Sequence, residues 1–158
     1  MKPSQGTATP DPLTEVATRA TFDLRCNQEW RRGTRDASSL SLLLLELDDP
    51  RPREDRLRQI AWVLRSPLSR PGDFVARYTD TRFAVLLPIT DSVGALIVAE
   101  SLRTAMDALK GSRTTVSIGV ASLVPSQERA LSSLLAAAEK ALAAARQGGG
   151  NRIERSIL

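Results

Sequence analysis

Two places in this chain set chemically capable side chains close together. Glu46, Asp48 and Asp49 follow directly on the apolar run Leu42–Leu45. Carboxylates at the end of a buried strand are a common place for metal and phosphate chemistry, although solvated strand-end carboxylates are the commoner case. Farther along, Arg70 and Asp73 bracket Pro71-Gly72, so a guanidinium fork and a carboxylate can stand side by side. The bland alternative is a surface pair that steadies the following strand and contributes little energy. Two β-rich runs, Phe74–Tyr78 and Phe83–Leu87, then flank Thr79-Asp80-Thr81-Arg82, which is enough chain for a tight antiparallel hairpin. That turn lacks the Asn-Gly or Gly-rich dipeptide a sharp hairpin prefers, so some compensation is required. Its tip is either an active site or the remains of one.

Several chemistries are excluded by what the chain lacks. It has no histidine, which removes a His-based triad and any His-ligated metal. Cys26 is the only cysteine, so no intrachain disulfide forms and a reducing cytosol suits the chain. A net charge of +4 is modest, and arginine is scattered through every segment without a basic stripe or interleaved aromatics. Nucleic-acid binding is therefore not expected. No apolar run is long enough to span a bilayer, and the first residues lack the apolar core of a signal peptide, so the expectation is a cytoplasmic protein without membrane insertion.

The elements that position these groups follow from periodicity. With 158 residues, 42% hydrophobic and 25% charged, the chain has room for one real core. Residues 1–10 read as a disordered lead-in and 11–158 as the domain. Thr18 is a plausible N-cap for a helix carrying Phe22, Cys26 and Trp30, ended by Arg31-Arg32-Gly33. Cys26 reads as core filler. Ser39–Leu47 is a central strand covered on both faces. Pro50 and Pro52 force a stiff connection before a helix with Leu57, Ile60, Ala61 and Leu64 on one stripe, ended by Pro67. Ser92–Leu109 is helical, with Ala95, Ala99, Leu102, Met106 and Leu109 on one face. Thr114–Ala121 is a strand in which Gly119 allows a neighbour to approach closely. Glu128–Arg146 is a helix closed by Gly148-Gly149-Gly150, and Asn151–Arg155 adds an edge strand. The predicted order is α-β-α-β-β-α-β-α-β: an α/β fold with a single mixed, mainly antiparallel sheet flanked by helices.

Together these stretches resemble the GGDEF family, diguanylate cyclases that condense two GTP into cyclic di-GMP. The matches are Asp11-x-Leu13-Thr14 with Arg19, Glu46-Leu47-Asp48 at the strand end, Arg77-Tyr78 and Phe83 around the turn, Val116-Ser117-Ile118-Gly119-Val120, and Gly149-x-Asn151-Arg152. The resemblance implies a palm like that of nucleotide cyclases, with GTP at the hairpin and two subunits facing each other. Such chemistry needs backbone that closes on phosphates, carboxylates that hold Mg²⁺, and a guanine pocket.

This sequence departs from the family at all three. The two signature glycines align with Thr79 and Asp80, the acidic metal-ligand position with Thr81, and the adjacent glutamate with Arg82, a charge reversal. Glu46 stands where the family has an aspartate. The longer guanine-gripping segment is reduced to 49–56, with Glu54 in the place of a later aspartate and no counterpart to the asparagine. On these grounds the chain is expected not to be an enzyme, with no catalytic residue, metal or cofactor, and a degenerate hairpin at Thr79, Asp80, Thr81, Arg82 and Phe83. The resemblance also implies a product-binding Arg-x-x-Asp motif, which Arg70 and Asp73 match. An arginine fork suits guanine O6 and N7, and a carboxylate accepts from the ring N–H and exocyclic amine. Arg77-Tyr78-Thr79-Asp80 fits the same loose pattern. The family's second arginine aligns with Ser101, and Arg103 is its turn-neighbour.

The leading expectation is thus an inactive GGDEF domain that senses cyclic di-GMP through Arg70, Asp73 and Arg103. The alternatives are a nucleotide-independent protein-interaction or dimerisation module, with a protein partner or a second copy of the chain, and a divergent cyclase using Glu46, Asp48 and Asp49.

Overall fold

The computed structural model describes residues 9–49, 51–65, 67–68, 70–107, 109, 115–156 and 158. Most of the lead-in, Pro50 and Thr114 lie outside the described residues. The elements run α1 (Arg19–Asp36), β1 (Leu40–Leu47), α2 (Glu54–Arg65), β2 (Phe74–Arg77), β3 (Arg82–Pro88), α3 (Ser92–Asp107), β4 (Val116–Leu123), α4 (Leu131–Gln147) and β5 (Ile153–Ser156). That is the predicted order. One sheet is ordered β2-β3-β1-β4-β5, antiparallel throughout except for the parallel pair β4–β5.

β1 is central because both its faces are apolar, and period-two alternation sends them to different layers. Leu43, Leu45 and Leu47 pack with Phe83, Val85, Ile118 and Val120 beneath α2 and α3. Leu42 and Leu44 pack with Ala84, Leu86, Phe22 and Leu134 beneath α1 and α4. The helix stripes read from sequence are the buried ones: Leu57, Ile60, Ala61 and Leu64 in α2, and Ala95, Ala99, Leu102 and Met106 in α3. Gly119 lets α4 lie directly on the sheet, since a Cβ there would sit 2.2 Å from the Leu142 amide nitrogen and 2.5 Å from the Ala138 carbonyl oxygen.

Several boundaries differ from expectation: α3 ends at Asp107, short of Leu109, and β4 runs Val116–Leu123. The Thr18 side chain caps α1 by accepting from the Thr21 N–H, but the helix runs through Gly33 to Asp36. Gly33 is a packing position against Pro125, and Ala37 supplies the left-handed cap at φ 51°. α4 begins at Leu131, after the turn 126–130, and its C-terminal Gly148 N–H donates to the Ala144 carbonyl. Cys26 is buried in the core, and burial pushes its thiol up to about 12.

Candidate functional site

The hairpin tip lies where β1 ends and β3 and β4 begin. Tyr78 and Thr79 N–H both donate to the Arg82 carbonyl, and the Arg82 N–H donates to Thr79 Oγ1 at 3.1 Å. The threonine hydroxyl therefore supplies the closure that an Asn-Gly turn would otherwise provide. Arg77 Nη2 donates to the Asp80 carbonyl at 2.8 Å, and Arg77 also pairs with Asp11 at 3.3 Å. Burial raises the Asp11 carboxyl, but Thr14 hydrogen bonds and the Arg77 charge outweigh it and hold Asp11 below the usual range. Arg19 lies over the Tyr78 ring, 3.9 Å from its centre, and donates to the Tyr78 carbonyl. Burial, and then the Glu139 carboxylate that accepts from its hydroxyl, push Tyr78 up to about 12.

The acidic residues at the end of β1 have separate roles. Glu46 Oε1 takes Arg82 Nε at 3.0 Å and Arg146 Nη1 at 3.3 Å, while Oε2 takes the Thr81 hydroxyl at 3.3 Å. Asp48 accepts from Ser117 Oγ at 2.6 Å, the Asn151 N–H at 2.8 Å and the Thr115 hydroxyl. It thereby ties β1 to β4 and to the turn after α4, where a Cβ on Gly150 would strike the Asp48 carboxyl at 2.8 Å. Asp49 is exposed and takes the Arg51 N–H. Glu46 and Asp48 are engaged by the chain's own donors, Thr81 faces Glu46, and among the described residues no three acidic or sulfur ligands converge. Phe83 is buried in the sheet.

At the opposite end of the sheet, the turn leading into β2 is closed by the Asp73 N–H donating to the Arg70 carbonyl at 3.1 Å. Asp73 Oδ2 faces the Arg70 N–H at 3.4 Å, whereas Oδ1 is buried with no donor among the described residues. Burial raises the Asp73 carboxyl, partly offset by the Arg70 N–H and charge. The Arg70 fork turns to Thr90 Oγ1 at 2.8 Å and the Ile89 carbonyl at 3.2 Å. Ile89 is a β-branched residue held at φ 52°, which costs on the order of 1–3 kcal/mol and persists only because its surroundings enforce it. Arg70 and Asp73 are thus brought together. Arg103 is not: it pairs with Glu100 at 2.7 Å and reaches Asn151 at 3.3 Å. It stands roughly 16 Å along α3 from Ser92, which begins the helix beside Thr90. Ser101 is on the same distant part of the helix.

Sequence reasoning missed Arg146, Thr90 and Ile89. An arginine in the last turn of α4 is ordinary helix chemistry, and nothing local announces that it meets Glu46.

The family model described as diguanylate cyclase, GGDEF domain, matches residues 53–152. Diguanylate cyclase DgcP of Pseudomonas aeruginosa is 31% identical over 91% of this chain and 23% of its own length. Diguanylate cyclase TpbB of P. aeruginosa strain UCBPP-PA14 is 32% identical over 90% of this chain and 36% of its own. The chain therefore spans from just under a quarter to just over a third of the length of these relatives. Among solved structures, P. aeruginosa diguanylate cyclase SiaD in complex with its activator SiaC is similar at TM-score 0.85 and 26% identity, covering 94% of this chain and 62% of that one. The GGDEF domain of Caulobacter crescentus DgcB in complex with c-di-GMP is similar at TM-score 0.81 and 25% identity, covering 94% and 95%.

These relationships overturn the expectation that the chain is not an enzyme, because the matching family and the relatives are diguanylate cyclases. The departures read in the sequence do not by themselves establish inactivity: Arg82, which reads as an unanswered charge reversal, lies in an ordered cluster with Glu46 and Arg146.

Proposed function

The chain belongs to the GGDEF family of diguanylate cyclase domains and so to cyclic di-GMP signalling; from that premise we propose that it binds cyclic di-GMP at the turn leading into β2, through Arg70 and Asp73. The observation that carries this reading is the Asp73 oxygen buried without a donor among the described residues. A carboxylate oxygen left unpaired costs about 1–3 kcal/mol, and a turn of the Asp73 side chain toward solvent lets the N–H edge of a guanine remove that cost. The strained Ile89 and the Thr90 hydroxyl hold the Arg70 fork beside it. In the relative DgcB, c-di-GMP is the bound ligand. Titration calorimetry tests the proposal. Cyclic di-GMP gives a saturable heat that Arg70→Ala and Asp73→Ala each abolish and Arg103→Ala leaves intact. No heat, or an unchanged titration for Arg70→Ala, overturns it.

A protein partner is the second reading, favoured by α3, which leaves Val93 and Ile97 each 64% exposed. Its test is capture of a partner that Ile97→Asp abolishes while the cyclic di-GMP titration is unchanged. Capture indifferent to Ile97 argues against it.

A further inference from the structure

Gly33, inside α1, shapes a surface as well as a contact. A Cβ there would stand 2.8 Å from Pro125 Cγ, so its absence lets the segment after β4 lie against the last turns of α1. The Ser38 N–H donates back to the Gly33 carbonyl and fixes the chain where it leaves the helix. Between these two walls runs an open groove of about 620 Å³. Arg31 and Arg35, one helical turn apart, stand on one wall with half-buried Trp30, and Arg129 stands on the other. Arg35 pairs with Asp36 at 3.3 Å, and the two side chains are 71% and 48% exposed. The side chains of Arg31 and Arg129 are exposed and make no hydrogen bond or ion pair among the described residues.

The charge of the groove is one-sided. Among the described residues no carboxylate lines it. Of those nearby, Glu29 is taken by Arg25 at 3.8 Å and Arg32 at 3.3 Å, and Glu128 is exposed but does not line the groove. A cation in the last turn of α1 complements its dipole, which accounts for Arg35. The same reasoning runs against Arg129. It precedes α4, whose first turn has no acidic residue and whose N-cap, Ala130, makes no side-chain hydrogen bond, so a positive helix end adds to the arginines. Guanidinium groups around a half-exposed indole have the composition of a protein interface, where arginine and tryptophan are enriched. An open groove suits a length of chain better than a small molecule, which an enclosed pocket would hold. A second copy laid face to face would oppose the same arginines.

We propose that this groove docks an acidic segment of a partner protein, which lays carboxylates along Arg31, Arg35 and Arg129 and an apolar side chain against Trp30. Carboxylates meet guanidinium forks through charge-assisted pairs of N–H donors. Gly33 and Pro125 hold the two walls together, so little ordering is needed on binding. Because the arginines face water, the contact weakens as salt is raised. The groove shares no residue with the Arg70–Asp73 turn or with the exposed face of α3, so it stands or falls apart from both.

The experiment is fluorescence-anisotropy titration of the whole chain with a labelled peptide of aspartate and glutamate around a central phenylalanine. The comparison probes are its asparagine and glutamine analogue and a labelled oligothymidine. The acidic peptide binds saturably, and the uncharged analogue binds about tenfold more weakly or less. Arg31→Glu and Arg129→Glu each weaken the acidic peptide about tenfold, as expected when an exposed pair is replaced by like-charge repulsion. Arg58→Glu, the same change of net charge on the exposed face of α2, leaves the affinity in place. Trp30 is read alone in a Trp62→Phe chain, since Trp62 is the other tryptophan and is 71% exposed, and the peptide shifts its emission. Several results overturn the proposal: no saturable binding, equal affinity for the uncharged analogue, equal weakening by Arg58→Glu, tighter binding of the oligothymidine, or Trp30 emission indifferent to the peptide. Self-association in sedimentation that Arg31→Glu abolishes also overturns it, by making a second copy the occupant. The analogue and emission arms keep all three arginines, so they decide the matter even where a reversal fails to fold.

Discussion

Glu46→Gln keeps the shape of the side chain and removes the charge that separates two arginines. The structure sets the size of the effect. Glu46 is 16% exposed, and Arg82 and Arg146 are 34% and 35% exposed. Exposed ion pairs contribute about 0.2–1 kcal/mol, whereas removing one partner of a buried pair costs about 3–5 kcal/mol. Guanidinium groups one-third open to water rehydrate when the carboxylate goes, which places the loss near the lower figure, at about 1–2 kcal/mol. In a domain of this size each kcal/mol lowers the melting temperature by about 2–4 °C. Urea unfolding of the parent, Glu46→Gln, Arg82→Gln and the double variant forms a complete cycle. With Arg82 already removed, Glu46→Gln costs about 0.5–1 kcal/mol less than in the parent, because only Arg146 and Thr81 remain to lose a partner. A Glu46→Gln variant within about 0.3 kcal/mol of the parent, or a strictly additive double variant, refutes the reasoning.

Other perturbations test other links. Gly119→Ala puts a Cβ into the α4 backbone at 2.2 Å; overpacking against atoms that cannot rotate aside costs about 1–3 kcal/mol or more, read as a lower urea midpoint. Asp11 is held below its ordinary carboxyl range, so its contribution to stability is present above the unfolded value of 3.8 and lost as pH falls through the folded one. Asp11→Asn therefore flattens the acid limb of the stability profile, and an unchanged limb argues against the Thr14 and Arg77 contacts. With its thiol buried and pushed up to about 12, Cys26 resists iodoacetamide in the native chain and reacts on unfolding. Rapid native labelling contradicts its place in the core.

The fold was legible because its elements carry incompatible periods. The run of leucines in β1 is too short for a helix and apolar on both faces, and the stripes of α2 and α3 repeat every three to four residues. Gly33 misled as a helix end because a glycine that serves close packing looks the same in sequence as one that serves a cap. The Arg70–Asp73 turn was legible because both partners are local. The contacts of Arg103 with Glu100 and Asn151 were not legible, because alignment beside Ser101 does not say how far along a helix the site extends. Arg146 and Thr90 were invisible, since their partners lie far off in sequence. The charge at Arg82 was misjudged for the same reason: its partner Glu46 comes from the neighbouring strand.

The central proposal is that cyclic di-GMP contacts this chain at Arg70 and Asp73. Amide chemical-shift mapping of the labelled protein addresses that directly. Titration with cyclic di-GMP shifts Gly72, Asp73 and Thr90, and Asp73→Asn removes those shifts while leaving the rest of the spectrum in place. Shifts confined to other parts of the sheet, or none at all, contradict the assignment of the ligand to Arg70 and Asp73.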